Sequence, residues 1–143
     1  MTETMQVCVM SVGGEQYVID IARVEEILQP VKVLQVPGAP RFVEGVVNLR
    51  GTMLPIIDVR KRLGVSPAGL NRRERLVVSR AGTRRVGLLV DAVEQVIRVP
   101  MNSFKPAPMS SVPGKSPHVL GVCLTGERVR FMLDVLALVA EDG

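Results

Sequence analysis

The chain has no tryptophan, one tyrosine and three phenylalanines, and base-stacking recognition of single-stranded nucleic acid usually needs exposed rings. It has one histidine, His118, and two cysteines, Cys8 and Cys123, with no CxxC pair. That is too few donors for a zinc site. No apolar run reaches the roughly 18 residues that a membrane-crossing helix needs. The N-terminal MTETMQVCVM lacks the basic start and long apolar stretch of a signal peptide. Both cysteines sit inside apolar runs, so they read as buried thiols in a reducing compartment. The expected location is cytoplasmic, with no direct membrane insertion.

Catalytic signatures are equally sparse. No G-x-S-x-G occurs. Gly114-Lys115-Ser116 resembles the tail of a phosphate-binding loop, but Met109 stands where that motif needs its first glycine, and Pro117 follows the serine. A small hydrolase built on Cys123 and His118 is the remaining enzymatic option, and nothing beside them resembles an activated thiol. Asp20, Asp58, Asp91 and Asp134 fall near element ends, where capping and turns account for them. No catalytic, cofactor-binding or metal-binding residue is assigned.

What the chain does have is apolar strand material and turns. Apolar residues make up 47% of its 143 residues, with 13 glycines and 10 prolines scattered along it. The aliphatics are mostly Val and Leu, which favours many short strands in a barrel or sandwich. A net charge of +4 suits nucleic acid, acidic protein or anionic lipid. Arg72, Arg73, Arg75, Arg84 and Arg85 cluster without interleaved aromatics, so they read as a solvated face.

The most informative stretch is residues 45–64, GVVNLRGTMLPIIDVRKRLG. It reads as strand, tight turn, strand and a short helix, with Asp58 as N-cap and Gly64 just past the C-terminus. Arg50 is a permanent cation on a glycine turn between two apolar strands, and Glu26 is its expected ion-pair partner. Upstream, residues 7–12 and 16–20 form a hairpin about Gly13-Gly14. The spacing of Ile21, Val24 and Leu28 predicts a short helix over 21–28, and 31–36 a further strand. Residues 65–74 form a polar connector. Residues 76–79 and 84–90 form a second hairpin, 92–99 fit helix or strand, and 100–117 read as a long loop. Residues 119–124 and 128–133 form the last hairpin about Thr125-Gly126. Asp134 then heads a final helix, and Glu141 and Asp142 oppose its dipole and favour fraying.

A repeat underlies this order. A shift of 76 places Val36-Pro37-Gly38 on Val112-Pro113-Gly114, Val43 on Val119, Gly45-Val46 on Gly121-Val122, and Asp58-Val59 on Asp134-Val135. A shift of 69 places Val24-Glu25 on Val93-Glu94. Two related halves, about 7–64 and 75–140, are expected to share a core, because each alone is too small for a robust one. Arg50 falls on Gly126, so the arginine belongs to one half only.

Several of these segments resemble the CheW family of chemotaxis coupling proteins. They are Phe42-Val43, Glu44-Gly45-Val46, Asn48-Leu49-Arg50-Gly51, Pro55-Ile56-Ile57-Asp58 and residues 60–64. VEEI at 24–27, VGLLVDAV at 86–93 and Lys105-Pro106-Ala107-Pro108 extend the match. The resemblance runs from about Val7 to Val139. It implies a mainly β fold, with two pseudo-repeated five-stranded Src-homology-3-like β-barrels packed together and short helices including a C-terminal one. It implies one CheW-like domain over 1–143. It also implies a non-enzymatic adaptor, recruited to receptor arrays, that couples the chemoreceptor cytoplasmic tip to the regulatory domain of the histidine kinase CheA. Val24, Glu26, Ile27, Asn48 and Arg50 would line the receptor groove between the barrels, Gly45 and Gly51 would keep turns tight, and Asp58 would cap its helix. The kinase would meet the exposed barrel edges. Val59 departs from the family's commoner leucine. The absence of an attached kinase or receiver domain points to a free-standing adaptor. The competing reading is a basic β-barrel that binds single-stranded nucleic acid.

Overall fold

A computed structural model describes residues 3–66, 72–107, 112 and 116–140. Gly114 and Lys115, the acidic residues after Ala140, and parts of the connector and the 100–117 segment lie outside them. The strands are β1 (Thr4–Val12), β2 (Glu15–Asp20), β3 (Val24–Leu28), β4 (Val43–Leu49), β5 (Thr52–Asp58), β6 (Arg75–Ala81), β7 (Arg84–Val90), β8 (Ala92–Pro100), β9 (Phe104–Lys105), β10 (Val119–Thr125) and β11 (Arg128–Leu133). Two short helices, α1 (Val59–Leu63) and α2 (Val135–Val139), follow β5 and β11. The fold is mainly β.

The strands form two sheets, ordered β8-β1-β2-β11-β10-β9 and β3-β6-β7-β5-β4. Each sheet takes strands from both halves of the chain. The hairpin β1–β2 pairs with β8 and β11 of the second half, and β6–β7 pairs with β3 and β5 of the first. The repeat is visible in the register. Gly45 pairs with Ile56 as Gly121 pairs with Met132, and β5 runs parallel to β7 as β11 does to β2.

The central hairpins are apolar on both faces because both faces are covered. Val7, Val9 and Val18 point into a core with Val99 and Cys123. Their neighbours Cys8, Met10, Tyr17 and Ile19 face a second core shared with Val77, Val86, Leu88 and Val90. Leu76 and Val78 turn the other way, into a third core with Val47, Leu54 and Ile56. Period-two alternation thus gives one interior per sheet and one layer between them.

Four expectations change. Residues 21–28 are not a helix. Ile21–Arg23 is a single 3-10 turn, capped where Ala22 N–H donates to the Asp20 carboxylate at 2.9 Å. Val24–Leu28 is a strand on β6, bulged between Val24 and Glu26. A three-residue turn followed by a bulged strand reproduces the 3-then-4 apolar spacing of a helix. Residues 31–36 make only one bridge, Leu34 to Val46, with both hydrogen bonds at 2.8 Å. Residues 101–105 are not loop but a 3-10 turn and β9, so one sheet has six strands rather than five. Gly45 is not a turn residue. It lies within β4 at φ +150°, and a Cβ there would sit 2.1 Å from the Leu34 carbonyl oxygen. Residues 92–99, open between helix and strand, are strand.

Candidate functional site

The turn between β4 and β5 has two residues, since Leu49 pairs with Thr52. Such a turn matches strand twist when both central residues take positive φ. Arg50 has φ +50° and Gly51 φ +86°, and Arg50 is the one non-glycine residue at positive φ among those described. For an L-residue this conformation costs about 1–2 kcal/mol. Asn48 supports the turn by accepting the Gly51 N–H at 3.0 Å. From this position Arg50 reaches Glu26 on β3, with Nη2 2.5 Å from Oε1. The arginine side chain is 66% exposed and the glutamate 29%, so the pair contributes at most about 1 kcal/mol to stability. Its consequence is geometric: two charged heads are held in fixed orientation at a surface.

The structure places all five expected groove residues on the five-stranded sheet. Val24, Glu26 and Ile27 are on β3, Asn48 on β4 and Arg50 on the β4–β5 turn. Glu26 and Arg50 meet directly. Asn48 is directed to the turn, and Val24 packs against the shared core. Ile27 is 41% exposed. Beside them a cavity of about 480 Å³ has mostly apolar walls, among them Leu28, Val31, Leu34 and Val47, with Gln29, Lys32 and Asn48 as its polar members. Apolar walls next to an oriented ion pair suit a side chain of mixed character, such as an amphipathic helix presents. The equivalent corner of the six-stranded sheet lacks the charges. Gln95 stands for Glu26, Leu124 for Asn48, and Gly126, at φ +59°, for Arg50. The backbone demands positive φ in both halves, and only one half fills it with a cation.

At the other end of β5 from the turn, the aspartates expected as simple caps belong to a buried network. Asp58 does cap α1, accepting the Arg60 N–H at 3.0 Å, and Gly64 ends it at φ +73°. Asp58 also grips the Arg60 guanidinium, Nε to Oδ1 at 2.8 Å and Nη2 to Oδ2 at 3.0 Å. The same guanidinium donates to Glu74 and Asp91, both at 2.8 Å. Asp91 in turn accepts the Gly13 N–H at 2.7 Å. The hydrogen bonds Arg60 donates to Asp58, then to Asp91 and Glu74, raise its pKa against the opposing cost of burial. One buried cation thereby joins α1, the β1–β2 turn and the β7–β8 corner. The sequence signal was a lone Asp91 inside the apolar run VGLLVDAV.

Other candidates recede. His118 bonds to Ser116 Oγ through Nδ1 at 3.0 Å, while the Cys123 thiol contacts Ser103 Oγ at 3.7 Å in a buried site. No aromatic ring is exposed: Tyr17, Phe42 and Phe131 are buried and Phe104 is half-buried, so the stacking platform of a single-strand binder is missing. Among the described residues no helix is long and apolar enough to cross a membrane.

The CheW-like domain family model matches residues 6–143. The chemotaxis protein CheW of Klebsiella aerogenes is 31% identical over 134 residues, covering 94% of this chain and 81% of that protein. The probable chemotaxis protein CheW of Rhizobium etli is 32% identical over 130 residues, covering 91% and 84%. The crystal structure of the scaffolding protein TtCheW from Thermoanaerobacter tengcongensis superposes with a TM-score of 0.89 at 30% identity, over 100% of this chain and 92% of that one.

Proposed function

The chain belongs to the CheW-like family of chemotaxis scaffold proteins, and we propose that it couples a chemoreceptor's cytoplasmic tip to the regulatory domain of the histidine kinase CheA. In this reading it catalyses nothing, acts as one CheW-like unit over 1–143, and works in the cytoplasm at receptor arrays. Val24, Glu26, Ile27, Asn48 and Arg50 form the receptor-facing site. One observation carries the assignment: a strained arginine, paired to Glu26 across the sheet, stands beside an apolar cavity in one half of a repeat whose other half has glycine there. Strain kept at a surface position without a stability gain is a mark of function. An amphipathic helix at the receptor tip would set apolar side chains against Ile27 and the cavity and polar ones against the ion pair.

The test is receptor-tip binding by Arg50→Ala, together with its thermal melt. Binding about tenfold weaker with an unchanged melt is expected. Unchanged binding sinks the site assignment, and so does weakened binding that merely tracks unfolding.

A further inference from the structure

A second surface, sharing no residue with the Arg50 site, has the makings of another docking face. An apolar cleft of about 140 Å³ is lined by Phe42, Ile57, Val86 and Val139, with Arg84 and Arg85 in its wall. That volume is below the range of cofactor and drug-sized pockets, about 300–1,000 Å³, and it suits one bulky side chain. Phe42 also walls a neighbouring open cavity of about 550 Å³, whose other lining residues are Arg41, Lys61, Arg62 and His118. The Arg62 guanidinium lies over the Phe42 ring, 3.8 Å from its centroid. An apolar cleft is thus flanked by cationic side chains on both sides of Phe42.

Two of those cations are already matched. Lys61 pairs with Glu44 at 2.5 Å and Arg85 with Glu25 at 2.7 Å. Arg41 and Arg84 are exposed, and among the described residues no carboxylate pairs with either side chain. Charge complementarity therefore asks for an anionic visitor, and the cleft asks for an apolar one.

We propose that this face docks an acidic linear segment of a partner protein. One Leu- or Phe-sized side chain fills the cleft against Phe42, Ile57 and Val86. Asp or Glu residues on either side of it meet Arg84 and Arg41. The buried anchor supplies affinity, and the rim charges supply encounter rate and register.

The experiment titrates the full chain with a fluorescein-labelled synthetic peptide that carries Leu-Phe between short runs of Asp and Glu. One control peptide replaces Leu-Phe with Ser-Ser, and another replaces the acids with Ser. Anisotropy gives affinity, and amide shifts in a nitrogen-edited NMR spectrum give location. Shifts are expected at Phe42, Ile57, Val86 and Val139. Binding is expected to weaken about tenfold for Arg84→Glu and for either control, and to survive Arg50→Ala. Arg84 is an exposed hairpin-tip residue, and a melt of Arg84→Glu checks its fold. Equal binding of the Ser-Ser peptide reduces the face to bare charge and overturns the proposal, as do indifference to Arg84→Glu, shifts confined to the Arg50 site, or no binding. Two other occupants would also overturn it. Deleting residues 141–143 moves the same amides if the chain's own acidic end fills the cleft, and protein concentration alone moves them if a second copy does.

Discussion

At the scale of single residues, the informative positions are those where a side chain sits against its own preference. Arg50 holds φ +50°. Glycine would relieve about 1–2 kcal/mol of backbone cost, offset by about 0.5–1 kcal/mol of unfolded-state entropy and by the loss of an exposed ion pair. Arg50→Gly is therefore expected to leave the melting temperature unchanged or slightly raised while weakening receptor-tip binding as Arg50→Ala does. Calorimetry beside the binding assay checks this, and a clear fall in stability means the arginine holds the hairpin together. Tyr17 is a contrasting case. It lies fully buried at 5.8 Å from the Phe131 ring, and its hydroxyl has no hydrogen-bond partner among the described residues. Burial, and secondarily Glu15, push its pKa up to about 12, so it stays neutral through any working pH.

At the scale of elements, the two halves repeat their irregularities more faithfully than their surfaces. The bulges in β3 and β8 both carry glutamate. Glu94, bulged opposite β1, accepts the Ser11 hydroxyl at 2.7 Å and the Arg73 guanidinium at 2.7 Å. Glu25, bulged opposite β6, takes Arg80 and Arg85, and Arg80 is the counterpart of Ser11 under the shift of 69. The Ser11 hydrogen bond, then the Arg73 contact, lowers the Glu94 pKa against partial desolvation. A carboxylate lowered in the folded state binds fewer protons than in the unfolded chain, so it adds stability above its ordinary pKa and loses it as pH falls through the lowered value. Ser11→Ala is expected to leave a smaller stability difference between neutral pH and the acid side of the carboxylate range, measured by urea midpoints across pH. Two identical pH profiles would remove the serine from this account. The paired glycines are just as specific. A Cβ at Gly121 would meet the Lys105 carbonyl oxygen at 2.4 Å, as one at Gly45 would meet Leu34. Gly121→Ala is expected to destabilise by about 1–3 kcal/mol, in the range for overpacking, and denaturant unfolding would show it. Little change there would mean that β9 can move aside freely.

At the scale of the whole molecule, exchange of hairpins makes the halves interdependent. Neither sheet can form from one half, since β1–β2 need β8 and β11 while β6–β7 need β3 and β5. Arg60 adds a charged tie between Asp58, Glu74 and Asp91 across that seam. Unfolding is accordingly expected to be a single transition. Leu54→Ala, in the interior of the five-stranded sheet, should cost about 2–5 kcal/mol and shift the whole melt. Calorimetric and van't Hoff enthalpies should agree. A second transition left at the original temperature would show that the sheets melt independently.

The sequence by itself determined the strand-rich class, the repeat frame, both helix caps and the Glu26–Arg50 pair. The class and the caps follow from local chemistry, the repeat frame from like residues 69 and 76 positions apart, and the pair from opposite charges on segments expected to lie side by side. Gly45 and Gly121 were legible as repeat partners but not as close-approach sites, because the carbonyls of Leu34 and Lys105 arrive only on folding. The reading of 21–28 as helix failed for a similar reason: a bulge imposed by pairing with β6 imitates helical spacing within one segment. Tertiary structure alone decided which half each hairpin joins, that Asp91 closes on Arg60 and Gly13, and that Phe42 stands between an apolar cleft and a basic cavity. Those outcomes depend on contacts between residues some 30 to 80 positions apart, where no single stretch of chain carries the pairing energy.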